Sequence, residues 1–141
     1  MGLPEPEVVV RCPGVHLRLS GINAQDPYEA EFSVELHAAG LDARLDRVIQ
    51  SAWDRPLVDF LDELVADFRG WEGERVWGVA NFAVTATFHP GGHVDVTWRL
   101  QPWDTGLDAW EASVTTRLEA GEQLRNLAAE VREFFSAFDQ G

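Results

Sequence analysis

Lysine is absent from this chain, because all 11 basic residues are arginine, so no lysine amine is there to form a Schiff base. Cysteine is nearly absent too. Cys12 stands alone, which excludes an internal disulfide framework and a multi-cysteine metal site, and it is expected to be a small buried apolar side chain. No run approaches the ~20 apolar residues of a membrane helix, and residues 1–6 lack the basic start and apolar core of a secretory signal. A cytoplasmic protein without membrane contact is expected. Gly-x-Ser-x-Gly, Ser-x-x-Lys, phosphate-cradling glycine loops, zinc-protease spacing and calcium loops are all missing, so no catalytic residue and no cofactor are expected.

What is present is acid and apolar bulk. The chain has 141 residues, 24 of them Asp or Glu, and a net charge of −13. Such a field repels nucleic acid and favours a basic protein partner. With 45% hydrophobic residues, 6 Trp and 8 Phe, the chain can bury a substantial core, and its length suits one domain spanning residues 1–141.

Residues 53–71 carry the plainest local message. Leu57, Phe60, Leu61, Leu64, Val65 and Phe68 form one stripe at helical spacing, with Asp59, Asp62, Glu63 and Asp67 opposite. A helix over about 55–69 follows, with Asp54 as its N-terminal cap, Trp53 stapled onto Val58 and Gly70 as the stop. A second stripe, Leu124, Leu127, Ala128, Val131, Phe134, Phe135 and Phe138, predicts a helix over about 120–138.

Strict alternation marks the strands. Tyr28–Ala38 and Leu41–Leu45 read as a hairpin in which apolar-on-apolar register sets Ala38 against Leu41, His37 against Asp42 and Glu35 against Arg44. Phe82–Phe88 and Val94–Leu100 read as another, with His89 across from His93. Those two imidazoles are the nearest approach to a metal site, but no third ligand is fixed by the pattern and no metal is expected. Earlier, Glu7–Cys12 and Val15–Ser20 flank the turn Pro13-Gly14, and Trp110–Leu118 supplies a last strand.

The run Phe68-Arg69-Gly70-Trp71-Glu72-Gly73-Glu74-Arg75-Val76-Trp77, with Gly92-His93-Val94 and Gly121-Glu122-Gln123-Leu124, resembles a family of small actinobacterial proteins of unknown function. The resemblance covers about the C-terminal two-thirds and implies no activity. In general character, short, acidic and aromatic-rich, the chain is similar to bacterial immunity proteins.

The expected architecture is α+β: an antiparallel sheet of about seven strands with two amphipathic helices on one face, in the order ββββ-α-βββ-α. The leading functional expectation is a non-catalytic acidic module, immunity- or antitoxin-like, binding a basic protein through Asp59, Asp62, Glu63, Asp67, Glu72, Glu74, Trp71 and Trp77. The alternative is a small-ligand-binding or enzymatic domain with a pocket between sheet and first helix walled by Trp98, Trp103 and Trp110. A third reading is a homodimeric scaffold docking through the last helix or a free strand edge.

Overall fold

A computed structural model of the chain describes residues 5–102 and 109–136. Four strands, β1 (Val8–Cys12), β2 (Val15–Asn23), β3 (Glu29–Ala38) and β4 (Leu41–Ser51), form one antiparallel meander and are followed by helix α1 (Leu57–Ala66). The pattern then repeats. Strands β5 (Glu74–Gly78), β6 (Phe82–His89), β7 (His93–Leu100) and β8 (Ala112–Glu119) form a second antiparallel meander, followed by helix α2 (Glu122–Phe134).

The expected hairpin registers are observed: Ala38 opposes Leu41, His37 opposes Asp42, Glu35 opposes Arg44, and His89 opposes His93. Period-two alternation fixes register wherever one face is buried, because a one-residue slip would turn every apolar side chain outward. The single seven-stranded sheet is not observed; there are two sheets of four strands. The added strand, β5, was not expected because only Trp77 among its five residues is buried, while Val76 points outward at 61% exposure. That leaves no alternation to read.

Both dry faces meet in one core. Strand β8 lies against β1, β2 and β3, and β4 touches β7. Phe32 of β3 makes edge-to-face contacts with Phe82 of β6 and with Phe134 and Phe135 at the end of α2, at centroid distances of 5.2–6.4 Å. Phe82 in turn stacks on Trp98 and meets Trp77 edge-on. This aromatic chain ties both sheets and α2 together, and edge-to-face pairs suit the ring quadrupole. Trp98 is fully buried and its indole N–H donates to Thr116 Oγ1 at 3.0 Å.

The helices pack against each other. Asp62 in α1 bonds Arg132 near the end of α2, whereas Val65 and Phe68 share a groove with Gly121 and Arg125 at its start, so the two run antiparallel.

Helix α1 is shorter than expected and begins differently. The Asp54 carboxylate accepts from the Ser51 backbone N–H at 2.8 Å and from its hydroxyl at 3.0 Å, which turns it away from the helix. Its place is taken by Gln50, a buried β4 side chain whose Oε1 accepts the Leu57 N–H at 3.0 Å. Trp53 does not staple onto Val58: it is 79% exposed and stacks on Tyr28 at 5.4 Å. Gly70 is not the stop expected of it: the helix ends at Ala66 with Asp67 as its C-cap, and Gly70 follows the next turn at φ +121°, where a Cβ would come 2.9 Å from the Phe88 ring.

Candidate functional site

Helix α1 presents its polar side beside the loop to β5, and the carboxylates expected to bind a partner divide into two sets. Asp62 is paired with Arg132 of α2, and Glu63 with Arg55. Asp67 bonds Arg75 at 2.6 Å, and the same guanidinium lies 3.5 Å from Glu63 and 4.7 Å above the Trp71 ring. Arg75 is therefore a clamp, held by two carboxylates and by the negative face of an indole. Three arginines thus engage Asp62, Glu63 and Asp67. Among the described residues Asp59, Glu72 and Glu74 have no such partner, and all three are exposed.

The two tryptophans assigned to this surface also separate. Trp71 is half-buried between Arg75 and Phe88, with ring centroids 5.5 Å apart in the latter contact, and its indole N–H is buried without an acceptor. Trp77 is a core residue at 3% exposure, its N–H donating to the Arg55 carbonyl at 2.6 Å. Burial removes Trp77 from the contact surface; it anchors the start of α1 to β5 instead.

Trp98 and Trp110 of the alternative pocket differ in burial. Trp98 is sealed at 0% exposure, Trp110 is 40% exposed ahead of β8, and Trp103 lies outside the described residues. His89 opposes His93 across the β6–β7 hairpin, but its Nε2 lies 2.9 Å from Asp95 Oδ2, and no group of three metal-binding side chains occurs among the described residues. Asp95 is also bonded by Arg117 at 2.8 and 3.3 Å across β7–β8. The Arg117 hydrogen bonds hold the Asp95 carboxyl below the usual carboxylate range, against the smaller opposing effect of burial. Cys12 is half-buried, its thiol 3.6 Å from the Arg117 carbonyl.

Two surface concavities were not marked by the sequence reading. A cleft of about 450 Å³ is lined by Glu5, Glu7, Glu130, Glu133 and the edge of Phe134. An apolar groove of about 410 Å³ lies between the end of α1 and the start of α2, lined by Val65, Ala66, Phe68 and Arg125. The carboxylates of the first come from opposite ends of the chain, so no spacing pattern relates them. Phe68 alone hinted at the second, as the last apolar residue of the α1 stripe, and it is 50% exposed.

Fold and surface together define a two-sheet α+β protein whose most distinctive exterior feature is anionic. The chain belongs to a family of unknown function, DUF6228, whose profile matches residues 8–137. No curated protein and no solved structure matches it. No helix among the described residues is long and apolar enough to cross a membrane.

Proposed function

We propose that the protein is a non-catalytic acidic binding module for a basic protein partner, acting in the manner of a bacterial immunity or antitoxin protein in the cytoplasm. The observation that carries this reading is the uneven neutralisation around α1. Arg55, Arg75 and Arg132 fix one set of carboxylates in place, while Asp59, Glu72 and Glu74 stay exposed with no cation partner among the described residues. A pre-ordered rim with unspent negative charge suits fast, salt-sensitive association with a cationic face. The net charge of −13 extends the same attraction over the whole surface and disfavours nucleic acid.

The test compares capture from lysate of the native host by the wild type and by the triple variant Asp59→Asn, Glu72→Gln, Glu74→Gln. Support is one basic protein held by the wild type at low salt, released at moderate salt and lost by the triple variant. Capture that is indifferent to both salt and the three substitutions would remove the proposal.

A further inference from the structure

Among the described residues β4 is the longest of the four edge strands, touched by β7 and, at the Arg47 carbonyl, by the Asn81 amide at 3.0 Å, which leaves Leu41–Leu45 as its open part. Helix α2 lies against β1 and β8, β8 lies against β1, β2 and β3, and β5 has only five residues. Strand β4 has 11 residues, with β3 as its only sheet partner among the described residues. It contains no proline or glycine, and its register with β3 breaks only opposite Asp46 and Arg47. Leu41–Leu45 therefore offers an edge in unbroken register with β3 and free of proline and glycine, on which the charges of Asp42 and Arg44 decide what can pair.

The two-residue loop Ala39-Gly40 closes on the pair Ala38 and Leu41. Backbone groups of Leu41, Ala43 and Leu45 consequently point to β3, and those of Asp42 and Arg44 point out of the sheet. The side chains of Leu41, Ala43 and Leu45 are only partly buried at the rim of the core. Asp42 and Arg44 stand on the opposite face, Asp42 beside His37 at 2.6 Å and Arg44 beside Asp46 at 2.5 Å and Glu35 at 3.5 Å, yet their side chains remain 84% and 55% exposed and can take a further partner.

We propose that a second copy of this chain pairs with β4 in antiparallel fashion, centred on Ala43, so that the sheet continues through a twofold axis. In that register Asp42 of each copy meets Arg44 of the other, in the outward hydrogen-bonding pairs. Leu41 meets Leu45, and Ala43 meets Ala43. The charge pattern selects this register. Centring on Arg44 would set Arg44 against Arg44, centring on Asp42 would set Asp42 against Asp42, and centring on Leu45 would run the pairing into the irregularity at Asp46 and Arg47. Half-step registers would place apolar side chains opposite charged ones. A foreign strand would have no reason to carry this complement, whereas the chain supplies it to itself. The inference is independent of the proposed partner at α1.

Two measurements test it. Light scattering on the wild type should show a mass rising with concentration from 15.7 kDa toward twice that value. In a Cys12→Ala background, Ala43→Cys should oxidise to a covalent dimer by itself, because directly opposed residues of a non-hydrogen-bonded pair lie ~4.5 Å apart at Cα, within disulfide reach. Asp42→Cys and Arg44→Cys should cross-link efficiently only when mixed with each other. A monomer at every concentration up to about 1 mM would overturn the proposal, and would leave the edge to a heterologous strand. So would a dimer in which Ala43→Cys fails to cross-link, since its interface then lies elsewhere.

Discussion

Replacing Gln50 by Leu tests how α1 is started. Gln50 is 3% exposed and its Oε1 is the acceptor for the Leu57 N–H, one of the orphan donors that every helix N-terminus carries. Leucine keeps the volume but accepts nothing, so the loss is one net hydrogen bond plus the desolvation of an amide left buried. Together these amount to about 2 kcal/mol, or roughly 6–8 °C in Tm for a domain of this size. Asp54→Ala removes only bonds back to Ser51 and should cost less. Urea unfolding gives both values, and hydrogen exchange should show α1 amides opening selectively in Gln50→Leu. A change below about 0.5 kcal/mol for Gln50→Leu, or a larger loss for Asp54→Ala, would refute the assignment of the cap.

The remaining predictions concern core, turn and pH. Phe32→Ala empties the junction of both sheets and α2 and should cost about 3–5 kcal/mol in one cooperative transition; two separate transitions in calorimetry would deny a shared core. Gly70→Ala demands a strained positive φ and brings a Cβ to 2.9 Å from Phe88, so a Tm loss is expected and an unchanged or raised Tm would contradict it. Asp95 has a folded pKa below its unfolded value of ~3.9, so its contribution is complete above that value and is lost as pH falls through the folded one. The stability gap between wild type and Asp95→Asn should therefore close on acidification, and a gap that stays constant from neutral pH to about 3 would count against it.

The hairpins were legible because long alternation leaves a single register that keeps Ala30, Phe32, Val34 and Leu36, and Phe82, Val84 and Ala86, dry on one side. Strand β5 was not, since its one buried residue, Trp77, carries no period. The number of sheets was hidden for a different reason: alternation says which face is dry and is silent on which strands adjoin. Local spacing also misplaced the cap of α1, where Asp54 has the favoured residue type but Gln50 has the geometry. The acidic stripe Asp59, Asp62, Glu63 and Asp67 was plain in the sequence. Its division into paired and unpaired carboxylates was not, because Arg132 lies 70 residues from Asp62.

The central claim is that apolar faces are spent on one shared core and that an unneutralised acidic exterior does the recognising. Association kinetics with the captured basic partner, measured across ionic strengths, test it most directly. The on-rate should fall steeply with salt and drop at low salt when Asp59, Glu72 and Glu74 are converted to their amides, with little change in the dissociation rate. An on-rate unaffected by salt and by all three substitutions would contradict the account.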